Sequence, residues 1–198
     1  MSVNPFSFLE PDAGFTPGIS IKLGKKFSLL SDFGFIFYST FSNSLTSSNG
    51  ATNTQTGYKL TPELRYYFKE YDIQKGFFIS VNAFYKHVGY MRYDGIRVFD
   101  HNGNFVYTSY EGYKIIKDVF GGGIKMGSRI YFNKNYKLGI DVYGGMGVRN
   151  KEFALRDLPP GGSFDRNFFG SSLFNTYWQD GGLPDLQLGF KLIWNFHN

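Results

Sequence analysis

The sequence predicts an all-β fold, an eight-stranded antiparallel up-and-down transmembrane β-barrel with long extracellular loops. Three observations predict it. From Asp185 to Phe196 the chain alternates without a break. Leu186, Leu188, Phe190, Leu192, Trp194 and Phe196 fall on one face, and Asp185, Gln187, Gly189, Lys191, Ile193 and Asn195 on the other. Period two is the signature of a strand, and a strand this long with one wholly apolar face needs a large apolar surface against it. The same alternation recurs in seven earlier segments, and the connections between segments alternate between short and long, as in bacterial outer-membrane barrels.

The elements follow in order. The first, over 3–9, is the weakest because Pro5 blurs its register. In the second, Phe15, Pro17, Ile19, Ile21 and Leu23 alternate with Thr16, Gly18, Ser20 and Lys22. After a turn at 24–26, Phe27, Leu29, Phe33, Phe35 and Phe37 oppose Ser28, Asp32 and Gly34. The fourth sets Tyr58, Leu60, Leu64, Tyr66 and Phe68 against Lys59, Thr61, Glu63, Arg65 and Tyr67. In the fifth, Phe77, Ile79, Val81, Ala83 and Tyr85 face away from Ser80, Asn82, Phe84 and Lys86. The sixth sets Phe120, Ile124, Met126, Ile130 and Phe132 against Gly121, Gly123, Lys125, Gly127 and Arg129. The seventh opposes Leu138, Ile140, Val142, Met146 and Val148 to Gly139, Asp141, Tyr143, Gly145 and Gly147; Asp185–Phe196 is the eighth.

Connections at 24–26, 69–75 and 133–136 are short. Those at 41–56, 91–113 and 150–184 are long, and 10–13 is a tight outer one. An even strand number with this alternation puts both termini on the periplasmic side of a bacterial outer membrane. A soluble lipocalin-like barrel would turn its apolar residues inward. Here the inward set carries the charges, and the expected interior network comprises Asp32, Glu63, Arg65, Lys86, Lys125, Arg129, Asp141 and Lys191, since buried charges persist when paired or hydrated. Eight strands leave an interior that side chains fill, so a plug rather than a channel is expected. Inward glycines on the sixth and seventh strands make room for Tyr131 and Tyr143. Phe68, Phe132, Trp194 and Phe196 are expected to form an aromatic girdle at the periplasmic interface.

At 198 residues the chain reads as one domain, 1–198, and aromatics make up 20% of it. There is no Cys and there are three His, His87, His101 and His197, so disulfides and zinc–thiolate sites are excluded; no metal and no cofactor is expected. The net charge of +5 comes from basic residues spread singly along strands, not clustered as a phosphate-tracking patch requires, so no nucleic-acid partner is expected. No run approaches the roughly 18 uncharged apolar residues of a spanning helix. Export to an outer membrane requires a leader, and the expectation is that it has been removed.

Two stretches carry a resemblance: Asn4-Pro5-Phe6-Ser7-Phe8-Leu9, and Pro62-Glu63-Leu64-Arg65-Tyr66-Tyr67-Phe68 followed by Gly76-Phe77-Phe78-Ile79. Over roughly the first 90 residues the chain resembles an uncharacterised family of small outer-membrane barrels common in Bacteroidota. The resemblance implies an eight-stranded outer-membrane barrel and no assigned reaction. The chain departs from many such proteins at its end, where His197 and Asn198 follow Phe196.

Other motifs read blandly. Asp100-His101-Asn102-Gly103-Asn104, with Glu111 twelfth, has Phe105 where a calcium loop needs Gly; a hairpin of 96–99 and 105–110 about Asn102-Gly103 is expected instead. Gly121-Gly122-Gly123 lies inside a strand with no Lys-Ser/Thr after it, unlike a phosphate loop. His87 falls on the outward face near the outer rim. Some eight-stranded outer-membrane barrels modify lipid A with such a histidine, but no nucleophile or orienting carboxylate is identified beside it.

The loop over 150–184 is aromatic-rich, and loops longer than about 12–15 residues are usually functional or disordered, while disordered ones are poor in aromatics. Phe164, Phe168, Phe169, Phe174, Tyr177 and Trp178 are its candidate partner-binding residues. The function expected is therefore that of a non-enzymatic outer-membrane barrel in contact with membrane lipid and lipopolysaccharide, serving as an accessory subunit of a larger envelope complex for transport, secretion or barrel assembly. A free-standing surface barrel for adhesion or membrane integrity is the alternative, and a lipid A-modifying enzyme a remoter one.

Overall fold

A computed structural model describes residues 1–4, 12–39, 55–69, 75–92, 96–132, 135–158, 162–163 and 181–195. Among these residues there is no helix. The strand segments are β1 (Ser2–Val3), β2 (Asp12–Phe15), β3 (Pro17–Lys22), β4 (Phe27–Ser39), β5 (Gln55–Tyr67), β6 (Gly76–Arg92), β7 (Ile96–Phe99), β8 (Phe105–Ser109), β9 (Tyr113–Tyr131), β10 (Leu138–Arg156), β11 (Gly162–Ser163) and β12 (Gly181–Trp194). Every pairing is antiparallel. Eight strands close into a barrel-like ring in the order β1-β3-β4-β5-β6-β9-β10-β12, with β12 returning to β1. β2 continues the line of β3 along β4 after a register shift at Ala13/Gly14. Gly14 is required there, because a Cβ would sit 2.0 Å from the Phe35 carbonyl oxygen.

Period-two sequence puts alternate residues on opposite walls of the ring. Phe33, Phe35, Leu64, Val81, Ile124, Met126, Val142, Leu188 and Trp194 are exposed on the outside, while Asp32, Glu63, Arg65, Lys125, Arg129, Asp141 and Lys191 are buried within. Tyr143 shows how the packing is arranged. Its register partners on either side are Gly127 and Gly189, and a Cβ at Gly189 would meet the Tyr143 hydroxyl at 2.7 Å. The ring thus occupies the space that a side chain at Gly189 would need, whereas at Gly127 a Cβ would meet the Val142 carbonyl oxygen at 2.4 Å and the Phe78 ring at 2.7 Å.

The strands run further than the apolar alternation marks them. β6 and β9 stay paired up to Arg92↔Tyr113, and β9 and β10 up to Lys114↔Arg156. The expected loops at 91–113 and 150–184 therefore begin and end in strand, and 41–56 ends in it, where β5 starts at Gln55. Across this extension the polarity of the wall inverts. Below it, β9 turns Phe120, Ile124 and Met126 outward and Lys125 and Arg129 inward. Above it, Tyr113 and Ile115 are buried while Lys114 and Asp118 face out, although between them Lys117 still points inward and Ile116 outward. The inward Ile36, Val88, Tyr90, Tyr113 and Ile115 form an apolar cluster, with Phe153, Leu155 and Leu158 packed on it. Burial of each of Ile36, Val88 and Ile115 is worth about 1.5–3 kcal/mol.

β1 is Ser2–Val3 only, and the expected strand over 3–9 passes out of the described residues after Asn4. The hairpin at 96–110 is β7 and β8, joined in a small sheet by β11. Its turn has Gly103 at φ 81° and is tied by Asp100, whose Oδ1 accepts from the backbone N–H groups of Asn102 and Asn104, both at 2.8 Å. The Asn104 backbone N–H is the main reason the Asp100 carboxyl lies below its ordinary range.

Candidate functional site

Three groups of side chains stand out, one below another from the outer rim. The lowest is ionic. Asp141 on β10 is the register partner of both Arg129 on β9 and Lys191 on β12, so the pairing of backbones already sets cations beside it. Arg129 donates from Nε to Oδ1 at 2.7 Å and from Nη2 to Oδ2 at 2.9 Å, and Arg65 Nη1 also donates to Oδ2. Arg65 Nε donates to Glu63 Oε1 at 2.5 Å, and Lys125 Nζ to Glu63 Oε2 at 3.1 Å. Lys191 Nζ joins Asp32, at 2.5 Å from Oδ2, to Glu63, at 3.7 Å from Oε2. Beneath lies an aromatic shelf: the Arg65 guanidinium is 4.3 Å from the Phe78 ring centroid, and Arg129 is 5.8 Å from that of Tyr67. Charges this deep are held only because each meets an opposite charge and good hydrogen bonds.

Asp32, Glu63, Arg65, Lys125, Arg129, Asp141 and Lys191 are thus one connected network. Lys86 sits elsewhere. Its register partners on β5 and β9 are Lys59 and Val119, and it is half-buried in the wall of a cavity above the network. That cavity, about 320 Å³, corrects the expectation of an interior filled throughout. Lys59, Lys117, Lys151 and Arg149 line it as well. Lys117 and Lys151 went unnoticed in the sequence because they lie beyond the apolar-out segments, although inward parity carried on from Gly121 and from Gly147 would have found them.

The third group is on the outside, one residue pair beyond the outward apolar residues. His87 Nδ1 lies 2.8 Å from Asp118 Oδ1, and the Tyr85 hydroxyl donates to the same oxygen at 2.6 Å. Tyr58 stacks on the His87 ring at 5.4 Å between centroids. Glu152 of β10 stands opposite Asp118 in register and is exposed. Partial burial acts to raise the Asp118 carboxyl, but the hydrogen bonds from Tyr85 and His87 and the attraction to His87 outweigh it and hold it below its ordinary value. The orienting carboxylate missing from the sequence reading is therefore Asp118, identifiable once Tyr85 is aligned with Phe120. What surrounds the pair is phenolic rather than a nucleophilic serine.

Phe68, Phe132 and Trp194 are all exposed at the short-turn end, where Leu138 and Trp194 are partners and the Met1 amino group donates to the Trp194 carbonyl oxygen. Phe196 lies outside the described residues, as do Phe164, Phe168, Phe169, Phe174, Tyr177 and Trp178. Exposed large side chains that are described on the outer side are Phe105, Val106, Tyr107 and Tyr110 of the hairpin. Among the described residues no group of three or more His, Asp or Glu side chains is arranged to hold a metal ion.

No curated protein and no solved structure matches the chain. A family model described as a protein of unknown function, DUF3575, matches residues 12–158, and the chain belongs to that family.

Proposed function

We propose that the protein is a transmembrane β-barrel of a bacterial outer membrane, without enzymatic activity, that serves as an accessory subunit of a larger envelope complex. The observation that carries this reading is the apolar belt on a ring whose charges point inward. Soluble monomers rarely expose a contiguous apolar patch larger than a few hundred Å², whereas here the exposed apolar residues run around the ring. From Phe120 to Phe132 there is about 40 Å of strand, which at the usual tilt rises about 30 Å, close to the hydrocarbon thickness. A closed ring also satisfies its backbone hydrogen bonds internally, as lipid requires. The inversion of polarity at Phe120 and Asp118 is what the passage from lipid to water would impose. Trp194, Phe68 and Phe132 then mark the periplasmic interface, and lipid and lipopolysaccharide are the surroundings.

The accessory role rests on the ionic network, which closes the lower interior against free passage, and on the outer elements. β9 and β10, at 19 residues each, are about 60 Å long and overrun the belt. β9 follows directly on the hairpin, whose exposed Phe105, Val106, Tyr107 and Tyr110 would offer an envelope partner an apolar surface. Copurification from membranes in mild detergent tests this. A stable larger complex is expected, and a lone monodisperse barrel under several mild conditions would contradict it. The stiff paired extension also favours a second reading, a free-standing barrel acting in adhesion or membrane integrity. In that case removal of residues 96–110 lowers surface binding while leaving assembly intact.

A further inference from the structure

We infer that the interior cavity is a binding site for a small neutral polyhydroxylated solute, of the size and chemistry of a monosaccharide. The first argument is what its wall leaves open. Thr61 Oγ1, Asn82 Oδ1, Gln187 Oε1 and Arg149 Nε belong to lining residues, and each is buried with no hydrogen-bond partner among the described residues. Thr61 and Asn82 are only 6% and 4% exposed. Polar atoms this deep cost free energy until something meets them. Two are amide oxygens, which only accept; one is a guanidinium N–H, which only donates; the hydroxyl does both. A molecule that answers this mixture must donate and accept at neighbouring points, as a row of hydroxyl groups does.

The second argument is where these atoms lie. Asn82 on β6 is the register partner of Gly123 on β9, and Gln187 Nε2 stands 3.1 Å from the point that a Cβ on Gly123 would occupy. The two side-chain amides therefore meet beside Gly123, one arriving from β6 and the other from β12. Gln187 Nε2 donates to Asp185 Oδ2 at 2.9 Å, which fixes the amide and makes Oε1 its open acceptor.

The third argument is charge. Lys125 Nζ donates to Glu63 at 3.1 Å, Lys191 Nζ to Asp32 at 2.5 Å, and Arg149 Nη1 lies 3.4 Å from Asp185. Lys59, Lys86, Lys117 and Lys151 are engaged in interactions of their own. An ionic ligand would have to break into these pairings, whereas a neutral one uses the atoms that they leave over. The volume, about 320 Å³, is at the small end for ligand sites and suits one sugar ring, with Phe84 and Tyr143 as apolar wall for its C–H groups.

The test uses the full chain, refolded in detergent and titrated with D-glucose, D-galactose and myo-inositol, with sodium succinate as the charged comparison. Binding is followed by saturation-transfer NMR. A saturable signal is expected for at least one of the three polyols and not for succinate. Thr61→Val removes the hydroxyl at nearly constant volume, and should weaken that binding about fivefold, the size of one hydrogen bond between neutral groups. Asn82→Leu should have a similar effect. Thr56→Val makes the same change at an exposed position on the same strand and should leave binding unchanged. Each variant is first checked for wild-type circular dichroism. The proposal is overturned if none of the polyols saturates, if succinate binds as tightly as they do, or if the Thr61 and Thr56 variants behave alike.

Discussion

Asp141 is the side chain on which the interior depends most. It joins two arginines that are themselves almost fully buried, and breaking a buried pair from one side leaves a charge with neither water nor partner. Asp141→Asn should therefore destabilise the protein by about 3–5 kcal/mol in denaturant titrations. Adding Arg129→Met should recover part of that loss, because the orphaned charge goes with it. A cost below about 1 kcal/mol for the single change would mean that hydration reaches this layer.

At the outer rim the relevant carboxylate is Asp118. Its depressed folded-state pKa means that its contribution is complete above the unfolded value, about 3.9, and is lost only as pH falls through the lower folded value. NMR titration of the Asp118 carboxyl carbon should give a midpoint below about 3.9. A midpoint above that value would remove His87 and Tyr85 as its partners.

The strands below the rim were legible because each kept one rule, apolar outward and polar inward, from Phe15 to Trp194. Above the rim the rule reverses, and a reading tuned to outward apolar residues stopped at Tyr85, Phe120 and Val148. There the buried set is Val88, Tyr90, Tyr113 and Ile115, and the long segments looked like loops. Register was the other missing quantity. Which charges share a row, such as Asp141 with Arg129 or Lys59 with Lys86, depends on strand offset rather than on composition. Hence the sequence names the inward charges but not their rows, and neither the place of Lys86 nor the cavity can be read from it. The two faces of one strand should also respond differently to charge. Leu188→Arg or Val142→Arg, placed outward near mid-belt, should cost about 2–4 kcal/mol in lipid vesicles. Gln187→Arg, pointing into the cavity wall beside Asp185, should cost less. Equal costs would mean that the outward face does not meet lipid.

Taken whole, the molecule is a closed ring with an ionic lower interior, a lysine-lined cavity above it, an apolar cluster towards the rim and a paired extension beyond the belt. Membrane insertion rests on the apolar belt. The most direct measurement is refolding of the urea-denatured chain in the presence and absence of lipid vesicles, followed by flotation and an alkaline wash. Insertion predicts that the β-sheet circular dichroism appears only with vesicles or detergent, that the protein floats with the lipid, and that the wash does not remove it. A monomeric, fully folded chain that stays soluble in plain buffer with the same β-sheet signal would contradict it.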